Sequence, residues 1–213
     1  MSNTPDARLR PAPVAVAGKV FVALPAEHRV ATHFRSTWLT SSLATLRERG
    51  LFDAYAAALP PVHREAVMAT VAGVWLPIET AMAHYGACDR LELPTNDLLA
   101  LGVTAIRRAQ ATNLAFVARL ATSVGVTPWT ILSHSARLWS NTCTGGGVAV
   151  WELGPKEARI DLVGFPLARY RYNRITMRGI VQAVIELFCA KVYAREIASS
   201  CNDTELAFRV SWV

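Results

Sequence analysis

Four guanidinium groups fall within ten residues, at Arg169, Arg171, Arg174 and Arg178, with Tyr170 and Tyr172 among them. Guanidinium forks and phenol hydroxyls are what a site needs to grip a carboxylate or phosphate through charge-assisted hydrogen bonds. On a helix, Arg174 and Arg178 would stand one turn apart. The plainer alternative is a cationic connection facing water, which is all that most surface charge runs do. Both readings stay open from sequence.

Other chemistry is thinner. His84 and Cys88 are four apart, so a helix would place them on one face as two metal ligands, with Cys143 or Cys201 needed from afar. A satisfied histidine on a half-buried helix explains the pair as well, and no metal is expected. Ser133-His134-Ser135 is no nucleophile elbow, because neighbours on a helix point apart. Gly145-Gly146-Gly147 lacks the Lys-Ser/Thr of a phosphate-cradling loop. No acidic pair is placed for acid–base work. The expectation is therefore a protein that is not an enzyme and takes no cofactor.

The aromatic residues offer a second kind of site. Trp129, Trp139, Trp151 and Trp212 would line a pocket between helices and sheet if they are not simply core. Residues 114–139 also resemble a helix-turn-helix, with Gly125 in the turn. Thr127, Trp129, Thr130, Ser133 and Arg137 would then face a DNA groove. His134 falls where such helices bury an aliphatic residue, and an ordinary turn between two helices fits equally well.

These groups must be positioned by a chain of 213 residues, 52% hydrophobic, with net charge +6 and pI near 9.5. Such a chain buries a substantial core, and its charge favours acidic partners. The four cysteines are dispersed, which reads as a reducing, cytoplasmic setting. No apolar run reaches the roughly 18 residues a membrane span requires. Residues 1–12 read as a disordered arm, and Val20-Phe21-Val22 as a strand. From 32 to about 142 the apolar period is helical, punctuated by Gly50, Pro60-Pro61, Pro77 and Pro94, with Asp97 capping a long helix. After Gly147 the period becomes two, and strands near 148–153 and 158–162 precede a helix over 174–190. Strands near 192–198 and 205–212 complete a ββαββ unit. The fold class is α+β: a helical N-terminal layer, 13–144, packed on an antiparallel sheet, 145–213.

Gly154-Pro155-Lys156-Glu157-Ala158-Arg159, Gly179 inside the helix and Glu205 to Trp212 resemble the C-terminal part of an uncharacterised family expanded in myxobacteria. Arg47–Phe52 and the long helix after Pro94 extend that likeness more loosely. The ββαββ layout is similar to 4-vinyl-reductase-type and haem–nitric-oxide-binding domains, both sensory input modules. The haem–nitric-oxide-binding resemblance implies a Tyr-x-Ser-x-Arg motif that holds haem propionates. Here Tyr170 and Arg174 match, whereas Tyr172 stands in place of Ser, and His134 is the nearest candidate for an axial imidazole.

Together these readings favour a non-catalytic sensory or regulatory module. An apolar or amphipathic ligand would lie between helices and sheet, against Trp129, Trp139, Trp151 and Tyr170, with Arg171, Arg174 and Arg178 at the mouth. DNA binding through 114–139, a protein-interaction or assembly role with a homo-oligomer, and a haem-based gas sensor are the alternatives.

Overall fold

A computed structural model describes residues 18–112 and 126–213. The arm expected at 1–12, and the first helix of the helix-turn-helix reading, lie outside the described residues.

The helical layer follows its punctuation. Strand β1 (Lys19–Val22) leads to β2 (His33–Arg35) and α1 (Ser36–Glu48). Gly50, at φ +68°, turns the chain into α2 (Phe52–Ala58), a left-handed position that glycine occupies without strain. Helix α3 (Pro61–Met68) takes proline at its first position, where the missing N–H costs nothing. Strand β3 (Trp75–Pro77) runs into α4 (Ile78–Asp89), and α5 spans Thr95–Thr112. Asp97 sits in the first turn of α5, not at its cap, where its charge still suits the positive end of the helix. Helix α6 (Pro128–Ser133) opens with a capping box between Thr127 and Thr130, and α7 (Ser135–Ser140) follows a break at His134. The second helix of the helix-turn-helix reading is therefore two short ones.

The carboxyl-terminal part carries β4 (Cys143–Thr144), β5 (Gly147–Gly154) and β6 (Glu157–Val163). A 3-10 turn at Pro166–Arg169 leads to α8 (Arg171–Ile185), then β7 (Val192–Glu196) and β8 (Glu205–Trp212). The expected ββαββ unit is present, in a sheet ordered β1-β5-β6-β8-β7 with every pairing antiparallel. Val20-Phe21-Val22 is a strand as read, and it extends this sheet. The sequence reading missed a second sheet, β3-β2-β4, inside the helical half. Its strands have two or three residues, too few to display a period of two.

Register explains the core. Val150, Ile160 and Phe208 oppose one another across β5, β6 and β8, and Val148, Leu162 and Leu206 form the next row. All six are buried on the face that meets the helices. Helix α8 lies on β7 and β8, and α5 lies along α8. The closeness of those two helices comes from a glycine pair. A Cβ on Gly102 would stand 2.1 Å from the Thr176 carbonyl oxygen, and one on Gly179 would stand 2.4 Å from that of Leu99.

Candidate functional site

The arginine cluster is dispersed by the fold. Arg171 donates to the Leu93 carbonyl at 2.9 Å and to Thr95 Oγ1 at 3.0 Å. Arg174 forms an ion pair with Glu196, and Arg169 pairs with Asp203 at 3.1 Å. Arg178 is half-buried further along α8. One guanidinium ties α8 to the start of α5, another ties it to β7, and a third ties the 3-10 turn to the β8 hairpin. Arg171 and Arg174 therefore do not converge on a shared mouth.

The tryptophans separate in the same way. Trp129 packs on Phe21 and Trp212, with ring centroids 4.9 and 5.1 Å away, and its Nε1–H donates to the Pro155 carbonyl. Trp139 meets Phe165 edge-on and donates to the Gly145 carbonyl. Trp151 lies on the outer sheet face and donates to Asp161, which also holds Arg159 at 2.7 Å. The indoles of Trp129, Trp139 and Trp151 are packed core or sheet residues with their N–H groups satisfied. Among the described residues, these three tryptophans do not line a common pocket between helices and sheet. The described void between α1, α5 and α8 measures about 30 Å³, bounded by Trp38, Ser42, Tyr85, Tyr172 and Gly102, enough for water. Trp129 is also committed to the sheet, so it does not face a DNA groove.

That interior is closed by a polar network the sequence did not reveal. His84 is fully buried, with Nδ1 2.7 Å from the Tyr55 hydroxyl and Nε2 3.0 Å from Ser42 Oγ. Ser42 Oγ in turn lies 3.2 Å from the Tyr172 hydroxyl, and Cys88 Sγ lies 3.7 Å from His84 Nε2. A neutral imidazole meets both neighbours, one nitrogen accepting and the other donating. Burial holds the His84 pKa down at about 3, and burial pushes the Cys88 thiol and the Tyr172 phenol up. His84 and Cys88 do share a face, but this imidazole has no nitrogen left for a metal. Among the described residues no three His, Cys, Asp or Glu side chains converge.

The space of ligand size lies outside the core. A groove of about 610 Å³ runs between α3, α4 and the entry to α8. Pro60, Val62, Met82 and Ala83 make its apolar part, and His63, Glu79, Arg90 and Tyr170 its polar part. Tyr170 reaches it because Gly86 has no side chain: a Cβ there would be 3.3 Å from the tyrosine ring. Asp89 fixes the floor, accepting from the backbone N–H of Arg171 at 3.0 Å and of Tyr172 at 2.6 Å. It caps α8 from the end of α4. Of the predicted ligand residues, Tyr170 alone lines this groove, with Arg171 anchoring the wall beside it. A glycine inside a helix carries no signal of contact with a tyrosine far along the chain, so the groove was not legible beforehand.

The five histidines of the chain can be compared as iron ligands. His84 is engaged, and His33 is exposed beside Thr32. His28 is buried with neither ring nitrogen bonded, and His134 sits at the α6–α7 break. His63 borders the groove of about 610 Å³. The Tyr170, Tyr172 and Arg174 set does not assemble: Tyr172 is in the core network and Arg174 is paired with Glu196. Among the described residues, then, the expected propionate-binding set does not fit a haem in the interior, whereas the groove has the volume for one.

No family model matches this chain, and no curated protein does. Solved structures match its fold. An Fe(II) unliganded H-NOX protein variant from K. algicida has TM-score 0.64 at 11% identity, over 84% of this chain and 96% of that one. A structure solved to probe haem distortion in the H-NOX family has TM-score 0.57 at 11% identity, covering 84% and 94%. An oxygen-binding H-NOX domain related to soluble guanylate cyclases has TM-score 0.54 at 12% identity, covering 83% and 92%. The fold-level likeness to haem–nitric-oxide-binding domains is borne out. The expectation of no cofactor is overturned by the same findings, because the solved structures with this fold include haem proteins.

Proposed function

We propose that this chain is a non-catalytic sensory or regulatory module whose small-molecule ligand lies in the groove between α3, α4 and α8. The observation that carries this reading is the groove itself, with its apolar side of Pro60, Val62, Met82 and Ala83 and its polar side of His63, Glu79, Arg90 and Tyr170. An amphipathic ligand would lay its apolar body on Pro60, Val62, Met82 and Ala83. Its acidic group would meet the Arg90 guanidinium, with the His63 imidazole beside it. Likeness to sensory domains supports the role, and no helix among the described residues is long and apolar enough to cross a membrane.

The same likeness supports haem as the occupant, and the volume of the groove supports placing it there. The His63 imidazole is the residue placed to take the iron, with Arg90 and Tyr170 for the propionates. When bound, haem would supply a site for a diatomic gas. Hemin titration into the purified protein tests this reading: a Soret shift that saturates at one equivalent and is lost in His63→Ala supports it. Ala83→Trp, which fills the groove, should abolish hemin and amphipathic-dye binding alike. Unchanged binding of both in that variant would remove the groove as the ligand site.

A further inference from the structure

The edge of the five-stranded sheet offers a surface that the groove reading does not use. β7 is the last strand in the sheet order, so no described strand lies beyond it. Its register sets Val192 opposite Trp212 and Arg195 opposite Arg209. Two flanking bonds fix which groups face inward: Val213 N–H donates to the Lys191 carbonyl and Ile197 N–H to the Ala207 carbonyl. Bonded and non-bonded pairs alternate along an antiparallel ladder. Lys191, Tyr193, Arg195 and Ile197 therefore turn their backbone toward β8, while Val192, Ala194 and Glu196 turn theirs outward. Val192 is buried, but Ala194 and Glu196 are half-buried. An outward row of N–H and C=O groups is a template for a further strand.

Side chains alternate along the same strand. Lys191, Tyr193 and Arg195 are exposed on one face, with the Lys191 ammonium 5.0 Å from the Tyr193 ring centroid. Beside them, Arg209 gives its charge to Glu157. Arg195 has no ion pair of its own among the described residues, though its field reaches Glu157. The opposite face carries Val192 and Ala194 toward α8.

We infer that β7 accepts an extended segment of a partner protein in which acidic and apolar residues alternate. The backbone row supplies the hydrogen bonds, the acids meet Lys191 and Arg195, and the apolar residues continue the layer over α8. A second copy of this chain is the wrong occupant. Antiparallel pairing of β7 with itself would oppose the Lys191–Arg195 face of one copy to the same face of the other, and like charges placed so are unfavourable.

The test uses the full chain and a labelled synthetic peptide alternating valine and glutamate, read by fluorescence anisotropy. A valine–lysine peptide is the control. Ala194→Pro removes an N–H that points to the partner and none that serves β8, so the fold should keep its melting temperature while peptide binding is lost. Lys191→Glu with Arg195→Glu should weaken binding about tenfold or more, and light scattering should report a monomer. The inference is overturned by no binding of the acidic peptide, by equal binding of the basic one, by full binding in the folded proline variant, or by a dimer paired through β7. Ala83→Trp should bind the peptide normally, which separates failure of the groove reading from failure of this one.

Discussion

Replacing Gly102 with alanine probes the contact that sets the distance between α5 and α8. The added Cβ would lie 2.1 Å from the Thr176 carbonyl oxygen and 2.9 Å from the Ile180 nitrogen. An ordinary carbon–oxygen contact of this kind is about 3.3 Å, so the shortfall is about 1.2 Å. Both opposing atoms are backbone, and no side chain can rotate to relieve the overlap. The helices must part by about an ångström, which forfeits a quarter to a half of the dispersion energy of the atoms it separates. Overpacking of a tight interface costs about 1–3 kcal/mol or more, and this case lies at the upper end. Alanine returns about 1 kcal/mol through its better helix propensity. The net expectation is a loss of about 2 kcal/mol, or about 4–8 °C in Tm for a domain of this size. Calorimetry with urea titration followed by circular dichroism measures it. Gly179→Ala should behave similarly, since its Cβ meets the Leu99 carbonyl. Once the helices have parted, the second alanine meets less resistance, so the double variant should lose less than the sum. A Gly102→Ala protein as stable as the parent would refute the claim that backbone contact holds these helices together.

Three further outcomes follow from the core and the clasp. Tyr55→Phe strips His84 Nδ1 of its partner inside the core and should cost about 1–3 kcal/mol, measured by urea denaturation. His84 has a folded pKa of about 3 against an ordinary 6.5, so the unfolded chain binds a proton that the folded one refuses between those values. Its contribution is whole above pH 6.5 and is lost as pH falls toward 3, at about 1.4 kcal/mol per pH unit. Subtracting the stability profile of His84→Gln from that of the parent should leave this slope; a flat difference would count against the buried neutral ring. Asp89→Ala removes the cap on Arg171 and Tyr172 and should cost about 1 kcal/mol, with hydrogen exchange rising first at the start of α8.

The larger elements were legible because their apolar positions repeat over enough residues. β8 alternates across its whole length, and α8 carries Met177, Val181 and Val184 at helical spacing, so both were read within a few residues. What escaped was decided by contacts distant in sequence. β2, β3 and β4 exist because Phe34 finds Leu76 and Cys143 across the chain, and three residues show no period by themselves. The arginines were visible as a cluster, but their roles were not. Leu93, Thr95 and Glu196 claim two of them, and nothing in the local spelling announces those partners. The same holds for His84: its spacing to Cys88 was readable, whereas Tyr55 and Ser42 come from other helices. Tyr170 entered the groove for the same reason, because Gly86 on another helix leaves it room.

The pairing of β1 with β5, and of β2 with β4, has a kinetic consequence. Thr32 and Thr144 face each other across 112 residues of chain. During synthesis the first strands leave the ribosome long before their neighbours exist. A large loop must close before either pairing is rewarded, so this step should come late and slowly. Helices α1 to α5 can collapse in the meantime, leaving a half-built sheet with a bare flank. That interval is when the nascent molecule is most open to a chaperone, or to mispairing with another chain.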